Sequence, residues 1–597
     1  MNVRMTGEKS SVDAVAAFVG SFGVRSRPLR EILSLLTRGS QPIEALIVST
    51  ATPRRVVEDL LRSLGEDLAE NSEGLSVRPA LAALYRDSFA LAEVGPAGGE
   101  HGAAGDPGAA GEAGDAGSPV EALAALIAGA PAPRRDLDHV AATAQTLARR
   151  VSWLRSTYDL AGRRVLFVGD HDLTSVALAR SCPRTEITVV DLDERTLAYI
   201  DATARREGLA ISTLFGDLRF GLPSAAREWA DLAVTDPPYT PDGVGLFLGR
   251  GLAGLRDRKN GVVVLAYGHS RLHPMLGFQV QQSAQQLGVV FETILPAFNR
   301  YVGAQAVGSA SDLYVCAPTS RTWKVLDRVA EGFGTRIYTH GRQSVESGTE
   351  SDLGGLLAAA GGPAVTTVIG EAAPAGSPQV RRLGLRALFT GSDYLRDVGA
   401  GADIVVDLTA DPGPLLLRGL LAVTATRLRL VVPADHPDTA SPGGRARLAE
   451  LLAPKYRLTF ASASASAGGA RCTVVQAELA GEGGVDPVAR WLLERAHGRI
   501  GNVLREGVIR AAARGGRAVS KNEARAAVRA LVGAAEQDIL ELALMELPRG
   551  RLERLLTAVV TTTSAGAATA ATAATGVADT EARSAGAPPP SSTSGRT

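Results

Sequence analysis

The chain of 597 residues has little cysteine, few aromatics, no excess charge of either sign and no long apolar run. Each scarcity removes a class of protein. Its three cysteines, Cys182, Cys316 and Cys472, lie far apart without metal-ligand spacing. A disulfide framework or a zinc knuckle is thereby excluded, no metal site is expected, and a reducing compartment is favoured. Lys and Arg, 63 together, balance 63 Asp and Glu, so no global basic field marks a nucleic-acid binder. No stretch approaches the ~18 uninterrupted apolar residues of a membrane span. The opening MNVRMTGEKSSVDAVAAFVG lacks the sustained apolar core of a secretion signal. A cytoplasmic protein without membrane insertion is expected.

What is there is enough chain for roughly three to four domains. Residues 1–26 read as an N-terminal extension. Residues 27–94 read as a winged helix: Leu29, Ile32, Leu33 and Leu36 recur at helical spacing, and two more short helices and a possible strand pair follow. Its third helix mixes Arg54, Arg55 and Arg62 with Glu58 and Asp59, a weak groove reader, so nucleic acid is not expected as a partner. Residues 95–119, with PAGGEHGAAGDPGAAGEAGDAGSP, form a disordered linker, and 561–597 a low-complexity tail. A helical connector, 120–160, carries Leu147 and Val151 on its inner face.

From residue 161 strands and helices alternate: RRVLFVG, EITVVDLD, LAISTLFGD, WADLAVTDPPY and NGVVVLAYG are strands with helices between them. VVFETILPAF and SDLYVCAP then follow without a crossover helix, an antiparallel finish. Residues 161–322 are thus an α/β domain, a methyltransferase-like, doubly wound Rossmann sheet whose site lies at the carboxyl ends of its strands. Residues 323–482 repeat parts of it in degraded form, ADIVVDLTADPGP echoing ADLAVTDPPYTPDG, and 483–560 are helical. The Arg-rich stretch of this C-terminal α/β plus helical extension reads as a solvated face.

Each strand end of the first sheet delivers a carboxylate. In VLFVGDHDLTSVALA, Gly169 is followed by Asp170, His171 and Asp172, where a phosphate or carboxylate cradle would be glycine-rich. Acids there oppose a carboxylate and attract an ammonium. Asp191 stands 21 residues beyond Asp170, where such sheets place an acid on the ribose hydroxyls. Asp217 is placed to meet an adenine amino group. In TDPPYT, Asp236 and the carbonyl of Pro237 can accept hydrogen bonds from an amine. Pro237 and Pro238 lock the backbone, aiming the amine's lone pair at an electrophile. Tyr239, Asn299 and Tyr301 are candidates for the acceptor channel. Two reactions fit, transfer of a methyl group from S-adenosylmethionine or of an aminopropyl group from its decarboxylated form, and the acidic loop favours the second.

FVGDHDLTSVALA, VVDLDER, GDLR, TDPPYT and LFLGRGLAGL together resemble the branched-chain polyamine synthase family, the N4-bis(aminopropyl)spermidine synthases, over roughly 27–318. The resemblance implies aminopropyl transfer from decarboxylated S-adenosylmethionine, a co-substrate and not a bound cofactor, to the secondary amine of spermidine. Methylthioadenosine and a branched polyamine are the implied products, formed without a metal. The family's Gly-Asp-Asp-Asp loop becomes Gly169, Asp170, His171 and Asp172, with His171 where the family has its middle acid; the resemblance implies that an acid of this loop, or His171 here, helps take the amine's proton. Asp170 or Asp172 would hold the aminopropyl ammonium, and a homo-oligomer is expected. The competing readings are an amino-methyltransferase acting on nucleic acid and a noncatalytic sensor of nucleoside or polyamine.

Overall fold

A computed structural model describes residues 11–94, 118–270, 272–303, 308–345, 365–370, 380–391, 403–464, 471–481 and 483–562. The expected linker and tail lie outside these residues except at their edges, where Pro119 opens a helix and 561–562 continue one. The chain divides into two units, 1–348 and 349–597. Among the described residues no helix is long and apolar enough to cross a membrane.

The first unit opens with α1 (Ser11–Gly20), α2 (Arg27–Arg38), α3 (Ile43–Thr50) and α4 (Arg54–Leu64), followed by the antiparallel hairpin β1 (Leu68–Asn71) and β2 (Gly74–Val77). Three helices and a hairpin stand in the order of a winged helix. The start expected at 27 is corrected: Val15 and Val19 of α1 are buried in one core with Ile32, Leu33, Leu60 and Leu64, so this helix belongs to the domain.

Next come α6 (Pro119–Ala128), numbered after the short α5 (Ala82–Ser88), then β3 (Ala141–Ala142) and α7 (Ala144–Thr157). The sheet proper is formed by β4 (Arg164–Val168), β5 (Glu186–Asp191), β6 (Ile211–Phe215), β7 (Leu232–Thr235), β8 (Val262–Tyr267), β9 (Val289–Val302) and β10 (Ala310–Pro318), with α8 (Thr174–Ser181) after β4 and α9 (Glu194–Glu207) after β5. Its order is β3-β9-β10-β8-β7-β4-β5-β6. β6, β5, β4, β7 and β8 run parallel, and β10 enters antiparallel beside β8. Counted from β4, the order 3-2-1-4-5-7-6 with a reversed last strand is that of a methyltransferase-like Rossmann sheet. Val165 through Val168 and Val262 through Val264 are buried, because helices cover both faces of a parallel sheet. The order reverses between β4 and β7, so their carboxyl ends open the crevice where such sheets bind ligands.

The expected boundary at 322 is also corrected. The helix Thr322–Gly332 buries Leu326 and Ala330, and Ala330 lies against Gly249 of α10 (Pro241–Gly254). Beyond it Thr240 Oγ1 donates to the carbonyl of Ile337 at 2.7 Å, so 323–345 remain in the first unit.

The second unit holds a six-stranded sheet in the order β12-β11-β13-β14-β16-β15. Its strands are β11 (Thr367–Ile369), β12 (Arg381–Leu383), β13 (Asp403–Asp407), β14 (Arg427–Pro433), β15 (Tyr456–Ser464) and β16 (Arg471–Leu479). The first four are parallel, β16 runs antiparallel to β14, and β15 in turn pairs antiparallel with β16. This is the first sheet's order without its third strand, the degraded repeat that the sequence echo suggests. Helices Pro487–Leu493, Ile500–Arg514 and Lys521–Val532 follow it.

Candidate active site

At the end of β4 the chain turns at Gly169, whose φ of +74° favours glycine, and a Cβ there would meet Phe247 of α10 at 3.4 Å. The acids that follow separate into those facing a cavity and those held behind it. The cavity is lined by Leu137, Asp138, His139, Gly169, His171, Asp191, Leu192, Leu218, Asp236, Pro238, Phe247 and Tyr338.

Asp170 and Asp172 are not among these residues. Asp170 is buried, and its carboxylate accepts the backbone N–H of Ser175 at 3.1 Å, capping the helix Thr174–Ser181. Burial, reinforced by the charge of Asp172, pushes its carboxyl well above the usual range. Asp172 is ion-paired to Arg150 and accepts Thr174 Oγ1 at 2.7 Å. Burial would raise its pKa, but Arg150, with His171 and Thr174, outweighs burial and holds it low.

Asp217 also lies behind the cavity wall. Arg219 grips it with Nε at 2.9 Å and Nη2 at 2.6 Å, both side chains are buried, and the carboxylate does not reach the cavity. Asp191 does. Its two oxygens accept the backbone N–H groups of Asp170 (3.0 Å) and Asp193 (2.8 Å), which fixes the carboxylate while leaving each oxygen a second lone pair. Burial raises its pKa, and those backbone bonds oppose the rise.

Asp236 carries the most informative geometry. Its Oδ2 accepts both Arg150 Nη2 at 2.8 Å and Tyr301 OH at 2.7 Å. No partner is recorded on Oδ1 among the described residues, and Asp236 borders the cavity with Pro238 beside it. One oxygen is thus anchored and the other is available. Asn299 and Tyr301 support this anchor and are not among the residues lining the cavity. Asn299 Oδ1 accepts Arg150 Nε at 2.7 Å, and its Nδ2 donates to Ser311 Oγ at 2.9 Å. Pro237 and Tyr239 also stay off the lining; Tyr239 packs near Tyr267, ring centroids 6.1 Å apart.

His171 lines the cavity. Its ring stacks on that of His139 at 4.5 Å and 5°, and its Nε2 lies 2.9 Å from the carbonyl of Val140. Burial, helped by the neighbouring His171, holds His139 well below its ordinary pKa, in the neutral form. Asp138 accepts the N–H of Thr339 at 2.8 Å and its hydroxyl at 2.6 Å, tying the stretch after the helix Thr322–Gly332 to the rim.

Sequence reasoning missed Arg150, Asp138, His139 and Tyr338. Arg150 left a signal: it stands three residues after Leu147, on the inner face of α7, where an arginine must find buried partners. Its guanidinium joins the loop after β4, the turn after β7 and the strand β9. Burial would weaken its charge, but Asp172, Tyr301 and Asp236 more than restore it.

Residues 120–326 match the family model of the branched-chain polyamine synthase A C-terminal domain. This segment contains every cavity-lining residue but Tyr338. An N(4)-bis(aminopropyl)spermidine synthase of Thermococcus kodakarensis is 35% identical over 174 residues, 29% of this chain and 49% of that protein. An uncharacterized protein of Methanocaldococcus jannaschii is 39% identical over 175 residues, 29% of this chain and 44% of that protein. The chain thus spans about half the length of the curated relatives it matches. Among solved structures it is similar to the branched-chain polyamine synthase of Thermus thermophilus in complex with N4-aminopropylspermidine and 5'-methylthioadenosine. That likeness is 22% in sequence, covers 52% of this chain and 93% of that one, and has a TM-score of 0.30.

Proposed function

We propose that this chain is an aminopropyltransferase that moves the aminopropyl group of decarboxylated S-adenosylmethionine to an amine of a spermidine-like polyamine, giving a branched polyamine and methylthioadenosine. The observation that carries this reading is the cavity wall, where Asp138, Asp191 and Asp236 stand with no lysine or arginine among the lining residues. Such a wall repels a donor tail ending in carboxylate and attracts a sulfonium, an ammonium and a polycationic acceptor. The family match over 120–326 supports the same reaction.

In this mechanism Asp191 accepts the ribose hydroxyls, and Phe247 and Leu218 pack against the nucleoside. Asp236 Oδ1 accepts an N–H of the neutral acceptor amine, while Arg150 and Tyr301 keep Oδ2 from turning toward it. Asp138 faces the aminopropyl ammonium. The amine nitrogen forms a bond to the methylene beside sulfur as the carbon–sulfur bond breaks, its electron pair leaving with sulfur as the neutral thioether. The surplus proton on nitrogen passes to His171 Nδ1, the ring atom turned away from Val140. Positioning accounts for most of the acceleration, since a sulfonium leaves readily, and effective molarity supplies about 7–11 kcal/mol.

Purified protein supplied with spermidine and either form of the donor tests this. Methylthioadenosine formed only with decarboxylated S-adenosylmethionine is expected. S-adenosylhomocysteine formed with a nucleic acid acceptor would replace the proposal with amino-methyl transfer.

A further inference from the structure

In the helical region after the second sheet, most arginines are matched to carboxylates. Arg490 binds Glu494 at 2.8 Å, Arg499 binds Glu541 at 3.1 Å, and Arg551 and Arg554 share Glu536 at 3.2 and 2.7 Å. The helix hairpin Ile500–Arg514 and Lys521–Val532 departs from this rule. Residues 500–532 contain seven cations and only two acids, Glu506 and Glu523. Glu506 is taken by Arg510 at 2.9 Å. Glu523 accepts the backbone N–H of Ser520 at 2.8 Å, closing a capping box. Arg514, Lys521, Arg525 and Arg529 are exposed and have no recorded carboxylate partner among the described residues; Arg525 bonds only the amide of Asn522.

Helical geometry puts these cations in rows. Lys521, Arg525 and Arg529 follow at four-residue steps, a stripe with charges about 6 Å apart along the axis. Arg510 and Arg514 make a second pair at the same step, and the turn through Gly515 and Gly516 joins the two rows near Arg514, Arg517 and Lys521. Like charges at this spacing weaken a helix, a cost that a bound polyanion removes. Exposed small residues stand among them, Ala513, Ala518, Ala526, Ala527 and Ala530, beside the larger Asn522 and Glu523. No large apolar side chain of the hairpin is exposed, so it lacks the apolar face with which an interfacial helix enters a lipid surface.

We propose that the hairpin 500–532 is a docking surface for the phosphate backbone of nucleic acid, held by Arg514, Lys521, Arg525 and Arg529 without reading bases. Short rows of guanidinium and ammonium groups supply phosphate contacts, and the small residues let the backbone approach closely. The second sheet and its helical extension then serve to place a catalytic unit on a polyanion. Sequence alone favours a solvated face here; unpaired, aligned exposure turns the balance.

The test uses the full chain and fluorescent duplexes of two unrelated sequences, with binding measured by anisotropy over a salt series. Both duplexes should bind with similar affinity. With four contacts the affinity should fall roughly 10²-fold between 50 and 200 mM salt, because each neutralised phosphate releases about 0.9 counterion. The variant R514A/K521A/R525A/R529A should bind at least about tenfold more weakly at low salt, with a slope shallower by about three to four. The charge-conserving R514K/R525K/R529K should bind like the parent, which separates lost charge from lost fold. Unchanged binding in the alanine variant, no duplex binding by the parent, or binding to phosphatidylglycerol vesicles in preference to duplexes would each overturn the proposal.

Discussion

Two sheets with nearly the same strand order stand in this chain, and they differ in what happens to the carboxylates at their strand ends. In the first, Asp236 follows β7 directly and has one oxygen anchored by Arg150 and Tyr301 and one without a recorded partner beside a cavity. In the second, the turn after β13 carries Asp411, whose oxygens accept the backbone N–H groups of Gly413 (2.7 Å), Leu415 (3.1 Å) and Leu416 (2.9 Å) and meet His436 Nε2 at 3.1 Å. Both Asp411 and His436 are fully enclosed. A carboxylate whose bonds are all internal stabilises a helix start; one with a lone pair left over can handle a substrate. The same strand-and-turn framework supports either outcome, and the choice lies in the surrounding donors.

The sharpest way to break this comparison is to neutralise the two aspartates in turn. In Asp236→Asn the single amide oxygen remains with Arg150 and Tyr301, so the NH2 group faces the cavity and cannot accept from an amine. Loss of kcat on the order of 10³-fold is expected, with donor affinity changed only a few-fold. Asp411→Asn should leave kcat unchanged and lower the melting temperature, since it loses a charged cap. Equal effects on turnover from both variants would dissolve the distinction.

Second in size is Arg150→Met. It leaves buried Asp172 and part-buried Asp236 without their counter-ion, and breaking such a buried pair from one side costs about 3–5 kcal/mol, readable by denaturant titration. Arg150→Lys keeps the charge but cannot reach Asn299, Asp172 and Asp236 together, so it should recover part of the stability and little of the activity. A smaller effect is expected at the cavity-facing imidazole: His171→Asn should lower kcat about 10²-fold, with partial rescue by added imidazole. Failure of rescue, with full activity retained, would move the proton acceptor elsewhere.

How much of this was legible follows from which interactions are local. The parallel strands read plainly because both of their faces are buried, giving runs such as VLFV and VVVL. The Asp236 turn read plainly because two prolines leave few conformations. The acids at the strand ends did not separate, because Asp170, Asp172, Asp191 and Asp217 look alike as residues and differ only in their partners. Those partners lie far away in sequence for Asp172, bound by Arg150, and very near for Asp217, bound by Arg219. Only the first kind fuses α7 to the site, and no periodicity reports which cation crosses to which acid. The same limit hid Tyr338, brought to the cavity by the packing of the helix Thr322–Gly332 on α10.

The smallest expected effect concerns the buried cations. Arg150 in the first unit faces two carboxylates, whereas Lys455 in the second is fully enclosed and donates to the carbonyls of Leu420 (3.0 Å) and Leu421 (2.8 Å) at the end of the helix Leu415–Ala422. Carbonyl dipoles compensate burial less than a carboxylate does, so desolvation brings the Lys455 ammonium down to about 7. In the unfolded chain the same group titrates near ~10.4. Between these values the unfolded chain binds the extra proton, so stability must rise with pH across this window and level off below it. Tyrosines ionise toward its upper end, so the informative quantity is the parent minus Lys455→Met from about pH 7 to 9. The parent should gain stability over that range relative to the variant, whose thioether does not titrate. A flat difference would mean that the ammonium is as well satisfied in the second unit as Arg150 is in the first, and the contrast between the two sheets would then rest on their carboxylates alone.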